Sequence, residues 1–177
     1  MQEFTNEQIN LNNLPKYQEL ELTKPHPDYW KLIVLNLISF LFFLGVGLTI
    51  LIILDEQIRS SRYLIGGGYL IFGLLLFLLF RASFKKRGYA LREKDIIYKS
   101  GIIAETTTIV PLNRIQHVAL DEGLFSRMFK LGKLQVYTAG GQSGHLHIAG
   151  IEIEKAKSMK EMLLKRLDQL ENLTENQ

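Results

Sequence analysis

An uncharged run of 23 residues, from Leu32 to Leu54, limits the fold of this chain more than any other feature of its sequence. At about 1.5 Å of rise per residue, a helix of this length crosses a hydrocarbon core of about 30 Å. A second uncharged run, Leu64 to Phe80, has 17 residues, and Tyr63 extends it. Aromatic residues typical of membrane interfaces flank both runs: Tyr29, Trp30 and Tyr63. We therefore predict two transmembrane helices, at about 32–54 and 63–80, rather than buried core helices.

The segment between the two runs, Asp55 to Arg62, has eight residues and serves to join two antiparallel helices. A cleaved signal peptide is disfavoured, because the first run follows some thirty mostly polar residues and has no small-residue cleavage site. Gly66, Gly67 and Gly68 are followed by no GxxxxGK[ST] pattern, so we interpret them as a site of close helix packing and not as a phosphate loop.

Positive charge is concentrated after the second run. Residues 1–80 hold 5 basic and 7 acidic side chains, whereas residues 81–177 hold 16 basic and 11 acidic. The positive-inside rule places residues 81 onward in the cytoplasm, and two spans return the amino terminus to the same side. The sequence thus predicts a multi-pass plasma-membrane protein with both termini cytoplasmic and a short extracytoplasmic loop.

The remaining segments differ in composition and in the period of their apolar residues. Residues 1–31 are polar and contain three prolines, which predicts a flexible cytoplasmic segment. Residues 88–170 form one predicted domain, and 171–177 form a polar tail. Period-two patterns within the domain predict strands, near 89–92, 96–99, 102–110, 115–120, 134–138 and 145–148. From 152 to 170 apolar residues recur every three or four positions, which predicts an amphipathic helix. This helix is expected to pack on the strands; binding a partner helix or the bilayer surface is the alternative.

The sequence contains no pattern that points to catalysis. Without cysteine there is no thiolate nucleophile, disulfide framework or cysteine-ligated metal. No GxSxG-type elbow is present. His145 and His147 have the spacing of two ligands on one strand, but no third ligand is evident, so solvent-facing histidines are favoured. We predict no enzyme, no cofactor and no metal. Nucleic-acid binding is not expected either, since the basic charge is diffuse and not interleaved with aromatic residues.

One basic series within the domain is a candidate contact site for lipid or a partner: Arg114, Arg127, Lys130 and Lys133. Together with the cations that follow the second run, these side chains could meet anionic headgroups within a Debye length of the membrane. The alternative is that the charges after the span set topology, while Arg114 and Arg127 anchor loops.

Several motifs resemble those of the YdbS-type bacterial membrane proteins that carry a pleckstrin-homology-like (PH-like) domain. These are PLNRIQHV at 111–118, Gly123 with Arg127, Phe129 and Leu131-Gly132, LQVYTAGG at 134–141, and Gly150-Ile151 before the last helix. The two-span hairpin with a basic exit is also the layout of that family. The resemblance implies a membrane-anchored α+β fold, in which a PH-like, partly open β-barrel or sandwich is capped by a C-terminal amphipathic helix.

The resemblance implies no reaction, since such domains serve as scaffolds for lipid or protein contacts. We expect a non-enzymatic interaction module that assembles with another membrane protein or with itself. A tandem-domain relative as partner, and a setting in envelope stress or antimicrobial resistance, are implications of the resemblance alone. A sensor of anionic lipid headgroups at the inner leaflet is the alternative.

Overall fold

The computed structural model describes residues 20–102, 104–139 and 145–175. Two long helices, α1 (Asp28–Leu54) and α3 (Arg62–Lys86), flank the short helix α2 (Glu56–Ser60). Both long helices are long and apolar enough to cross a membrane. Their large apolar side chains are mostly exposed to the surroundings, among them Phe43 at 72% and Ile71 at 71%. A core helix of a soluble protein would bury these side chains, so the exposure indicates contact with lipid.

The connector between the spans is helical over α2, where the sequence predicted only a loop. The Asp55 side chain caps α2 by accepting hydrogen bonds from the backbone N–H groups of Gln57 and Ile58. The Arg59 side chain donates to the carbonyl of Ile53, 2.6 Å away, and so satisfies part of the free carboxyl end of α1. Side chains of the connector thus satisfy backbone groups at the end of α1 and at the start of α2.

Close contact between the spans occurs at glycines other than those the sequence singled out. A Cβ on Gly45 would lie 3.1 Å from the Tyr69 hydroxyl, and one on Gly73 would lie 3.3 Å from Leu41. Tyr69 also donates a hydrogen bond to the Leu41 carbonyl across the hairpin. Gly66, Gly67 and Gly68 have no described atom within 4 Å of their Cβ positions, so the two helices of this chain do not pack at the predicted triplet. Glycine spacing alone did not reveal which helix face turns inward.

The rest of the described chain is an α+β sandwich. The first sheet contains β1 (Gly88–Leu91), β2 (Asp95–Ser100) and β3 (Thr106–Pro111) in that order, and the second contains β4 (Ile115–Asp121), β5 (Leu131–Thr138) and β6 (Leu146–Glu152). All pairings are antiparallel. A 3-10 turn (Leu112–Arg114) links the sheets, and the short helix α4 (Leu124–Met128) links β4 to β5. The sheets are not closed into a barrel, which agrees with the sandwich form of the predicted fold.

The core lies between the inner faces of the two sheets and is closed by the last helix, α5 (Ile153–Glu175). Ala156, Met159 and Leu163 are buried in this core, and the helix packs mainly on the second sheet and on the 3-10 turn. The apolar face of the helix therefore packs on its own domain, as the sequence favoured. The backbone of α5 continues beyond Leu170, so residues 171–175 of the predicted tail are helical.

Two local features differ from the predicted strands for identifiable reasons. Gly101 has φ +128° and returns the chain so tightly that a Cβ there would lie 2.0 Å from the Ala104 carbonyl oxygen. The strand predicted from residue 102 therefore begins at Thr106. In β4 the register shifts between Ile115 and His117, and this irregularity lets both Ile115 and Val118 face the core although they are three residues apart.

The part of the N-terminal segment nearest the membrane corrects another prediction. Thr23 forms a β-bridge with Tyr89, so at least this stretch of the predicted flexible segment is held against β1. Residues 1–19, at the start of that segment, and residues 176–177, at the end of the predicted tail, lie outside the described residues, as does Ile103 in the predicted strand 102–110.

Truncation of Leu163 tests whether α5 completes the core. Leu163 is 1% exposed, whereas its neighbour Leu164 is 38% exposed. We expect Leu163→Ala to lower the free energy of unfolding by about 2–5 kcal/mol, because a buried leucine leaves a cavity. Leu164→Ala is the matched control and should cost less than about 1 kcal/mol. Denaturant unfolding of the full-length protein in detergent measures both; equal effects would contradict this packing.

Candidate functional site

A single residue, Arg87, separates the second membrane helix from the domain. Helix α3 ends at Lys86 and strand β1 begins at Gly88. At Arg87 the backbone passes from helical to extended conformation, with φ −78° and ψ 140°. A connection of one residue leaves the first strand little freedom relative to the helix, so the end of α3 determines where the sheet begins.

The segment before α1 forms a second connection between the hairpin and the domain. Thr23 and Tyr89 exchange two backbone hydrogen bonds, with N to O distances of 2.8 and 2.9 Å. Three residues later, the backbone N–H of His26 donates to the Gly150 carbonyl, at 2.8 Å. The entry to the first span is thereby attached to the first sheet at β1 and to the second sheet at β6. Both ends of the hairpin hold the domain.

Arg87 is also the centre of a polar cluster at this junction. Its side chain donates to the Ser83 hydroxyl at 3.2 and 3.3 Å and to the Tyr29 hydroxyl at 3.0 Å. The guanidinium therefore connects the end of α3 to the start of α1. Burial raises the pKa of the nearby Tyr98 phenol, and the positive charge of Arg87 offsets part of this effect. Among the described residues no carboxylate forms a salt bridge with Arg87.

An aromatic cluster surrounds the same ends of the two spans. The Trp30 ring lies 5.4 Å from the Phe77 ring and 5.8 Å from the Phe84 ring, measured between centroids. The Arg81 guanidinium stacks over Trp30, 4.9 Å from its ring centroid. Tryptophan with a cation beside it is typical of the boundary between hydrocarbon and headgroups. The cluster therefore marks this end of the hairpin as a membrane interface.

The loop between β2 and β3 is attached to the helix exit by ion pairs. Glu105 pairs with Lys99 at 2.7 Å and with Lys86 at 3.3 Å. Hydrogen bonding to Lys99, followed by that to Lys86, lowers the pKa of the Glu105 carboxyl. Lys86 also donates to the Ile102 carbonyl, at 3.0 Å. Two of the cations near the helix exit thus already have a carboxylate partner, unlike Arg87.

The structure separates the four basic residues that the sequence grouped as a contact site. Lys133 lies opposite Asp121 at one end of the second sheet, and Arg127 and Lys130 belong to α4 and its exit at that same end. Arg114 precedes Ile115 at the other end of β4. Seven residues of strand span about 20 Å. Arg127, Lys130 and Lys133 are therefore neighbours in the fold, whereas Arg114 is remote from them.

The end of the sheet that carries these three residues also adjoins the membrane junction. Lys133 pairs in register with Ala149, next to Gly150, and Gly150 is against the Tyr29 ring. Helix α4 presents two exposed apolar side chains there, Leu124 at 79% and Met128 at 71% exposure. Exposed apolar groups beside basic ones are suited to a membrane surface. Lys133 is partly neutralised by Asp121, 3.9 Å away.

Three histidines cluster on the outer face of the second sheet. Ring centroids of His117, His145 and His147 lie 5.7, 4.9 and 6.5 Å from that of Tyr137. His147 is exposed, whereas His145 is only partly so. Burial and the charge of Lys133 lower the pKa of His147. Within the described ranges no group of three His, Cys, Asp or Glu side chains has the geometry to hold a metal ion.

The junction was largely missed at the level of sequence. The sequence identified Arg87 only as one of the cations that set topology or could meet anionic headgroups, and Tyr29 only as an interfacial aromatic, because their contact joins residues 58 positions apart. Gly150 was part of a family motif without an assigned role. Its φ of +79° and its contact with Tyr29 supply a physical one.

Comparison with known proteins supports the architecture. The family model described as "Bacterial PH domain" matches residues 33–167. UPF0699 transmembrane protein YdbT of Bacillus subtilis (strain 168) is 28% identical over 103 residues, which is 56% of this chain and 21% of that protein. UPF0699 transmembrane protein YdbS of the same organism is 27% identical over 88 residues, 50% of this chain and 54% of that protein. The similarity thus spans about half of YdbS and a fifth of YdbT. No solved structure matches the chain significantly.

Substitution of Gly150 tests the junction. A Cβ at this position would lie 2.5 Å from the Tyr29 ring, on a backbone with φ +79°. We expect Gly150→Ala to lower the free energy of unfolding by about 2–4 kcal/mol, through backbone strain and overpacking. Gly123→Ala is the matched control, since Gly123 has an ordinary φ of −70° and its Cβ would approach only the Ser126 hydroxyl, at 3.7 Å. Thermal unfolding of the full-length protein in detergent compares them; a neutral Gly150→Ala would contradict the contact.

Proposed function

We propose that this chain, which belongs to the bacterial PH domain family, holds its PH domain in one orientation against the inner leaflet of the plasma membrane, where the domain assembles with another membrane protein. The observation that carries this proposal is the double attachment of the domain to the hairpin, through Arg87 on one side and through Thr23 and His26 on the other. A domain held in this way presents the same surfaces to every partner that diffuses in the plane of the membrane. The proposal includes that both termini of the chain lie in the cytoplasm.

A domain of fixed orientation assembles with a partner more favourably than a domain on a flexible tether does. Ordering a flexible segment costs free energy on binding, and a domain already attached at two points has less freedom to lose. The membrane further restricts both partners to two dimensions. Modest contacts can then give a stable complex, which suits a module that works as a scaffold.

The proposed contact surface is the free edge of the first sheet. Strand β3 pairs only with β2, so its other edge has no described neighbouring strand. Ile109 on this strand is 42% exposed. An open strand edge with an exposed apolar side chain is suited to receive an extended segment of another chain. We propose a tandem-domain relative of the same family as the partner, and envelope stress or antimicrobial resistance as the setting.

Site-specific photocrosslinking in native membranes tests the assembly. A photoreactive residue replacing Ile109 is expected to capture one discrete membrane protein, identified by mass spectrometry. The same residue at Glu93, which is exposed in the turn between β1 and β2, is the control and should not capture that protein. Introducing Ile109→Asp should prevent its co-purification with the full-length chain while leaving thermal unfolding nearly unchanged. Capture of no discrete protein from position 109 would contradict the proposal.

Recognition of anionic headgroups is the second candidate function. It is favoured by the group formed by Arg127, Lys130 and Lys133 together with the exposed Leu124 and Met128 at the membrane-adjoining end of the sheet. Each basic side chain near an anionic surface contributes about 1 kcal/mol at physiological ionic strength. Arg114, at the far end of β4, would contact a partner rather than these headgroups.

Hydrogen exchange of the full-length protein in lipid nanodiscs tests headgroup recognition. Phosphatidylglycerol is expected to slow exchange of amides in residues 124–133 relative to phosphatidylcholine alone, and added salt should reduce the effect. The double substitution Arg127→Glu and Lys130→Glu should abolish this difference. Arg114→Glu changes the charge equally per site and should preserve it. Amide exchange rates in residues 124–133 that do not depend on lipid charge would exclude the headgroup function without affecting the assembly proposal.

A further inference from the structure

A groove between the two membrane helices opens at the polar cluster of the junction. It encloses about 520 Å³ and is walled on the α1 side by Leu32, Leu37 and Phe40 and on the α3 side by Phe72 and Leu76. Tyr29 and Arg87 lie at its polar end. Phe40 and Phe72 are 54% and 42% exposed, so the groove is accessible from the lipid phase. The apolar walls of the groove therefore face the acyl chains of the surrounding lipids.

The charge at the polar end indicates what kind of molecule the groove accommodates. Arg87 is partly buried, and its hydrogen-bond acceptors, Ser83 and Tyr29, are both neutral. Of the five N–H donors on a guanidinium, three are used in these bonds, which leaves one on each terminal nitrogen. Two donors on adjacent nitrogens match two oxygens of a phosphate. The positive charge has no carboxylate in salt-bridge contact within the part of the chain that the structure describes.

From this geometry we infer that the groove binds one anionic glycerophospholipid of the inner leaflet, with an acyl chain between α1 and α3 and the phosphate on Arg87. An anionic headgroup is selected over a zwitterionic one, because a headgroup ammonium would lie near an arginine without a counter-ion. Asn36 also lines the groove, about 10 Å along α1 from Tyr29, and offers its amide to an ester carbonyl.

This site is distinct from the headgroup surface on α4 and does not depend on it. The groove lies within the hairpin, and its ligand reaches it from the bilayer, not from the cytoplasm. A lipid in this position would contact both spans and the single residue that leads into the domain. The assignment to the inner leaflet rests on the proposed topology, whereas the binding itself requires only that the hairpin is embedded in the membrane. The inference can therefore fail while the assembly proposal holds, and the reverse is also possible.

Native mass spectrometry of the full-length protein released from detergent tests the inference. Phosphatidylglycerol and phosphatidylcholine with identical acyl chains are titrated separately, and the apparent Kd of the first bound lipid is compared. We expect phosphatidylglycerol to bind more tightly. Arg87→Gln should weaken its binding about tenfold, since a charge-assisted hydrogen bond is lost. Arg62→Gln, at the opposite end of α3 with its own tyrosine contact, is the matched control and should bind as the unmodified protein does.

A second pair of variants tests the groove without changing any charge. Leu76→Trp fills the space between the helices and should also reduce binding about tenfold, whereas Leu78→Trp, at a 55% exposed position outside the groove, should not. Because Leu76→Trp leaves Arg87 and its partners in place, it remains informative if Arg87→Gln destabilises the junction. The double variant of Arg127 and Lys130 should bind phosphatidylglycerol in this assay as the unmodified protein does.

Three results would overturn the inference. One is equal affinity for the two lipids in the unmodified protein. Another is binding that Leu76→Trp leaves unchanged. The last is a dimer that retains no lipid and dissociates on Leu76→Trp, which would show that a second copy of the chain occupies the groove.

Discussion

The arrangement of this protein depends on the hydrogen bonds of the Arg87 guanidinium. Arg87 lies where a helix suited to the membrane ends and a β-sheet begins. In hydrocarbon the backbone must satisfy its own hydrogen bonds, so the chain is helical across the apolar segment, and α3 continues without a break to Lys86. One residue later it enters a sheet whose first strand begins at Gly88. A side chain with several donors can bridge this change, since it reaches Ser83 on one helix and Tyr29 on the other. Without that bridge, only the covalent connection and the backbone contacts of Thr23 and His26 would position the domain.

The charges near the membrane divide into two groups with different consequences. Lys86 and Lys99 share Glu105, and Lys133 is near Asp121, so much of their field is cancelled locally. Arg81 is stacked on Trp30, and Arg87 has only neutral hydroxyl acceptors, so both remain uncompensated by a described carboxylate. Counting lysines and arginines along the sequence treats these residues alike. The paired cations contribute less to the field that a lipid or partner encounters than their number in the sequence suggests.

The sequence was sufficient for features that depend on local pattern. Two uncharged runs led to the two long helices, alternation led to most strands, and the spacing of Ala156, Met159 and Leu163 led to the helix that completes the core. It was insufficient where one position changes the phase or direction of the chain. The irregularity after Ile115 and the left-handed turn at Gly101 each moved residues away from a simple alternation. The packing of the two helices could not be predicted from the sequence either, because a glycine shows where close approach is possible and not which helix face is turned inward.

The candidate sites were less predictable for a related reason. Arg114 and Lys133 are close enough in sequence to look like one basic series, yet a strand of seven residues extends between them and places them at opposite ends of a sheet. Tyr29 and Arg87 are far apart in sequence, and the hairpin returns one to the other. In a hairpin of two helices, the residues before the first helix and those after the second lie at the same end, where they can contact one another as Tyr29 and Arg87 do. The open end of the hairpin is therefore where distant parts of this sequence form a site together, before the fold of the domain adds its own.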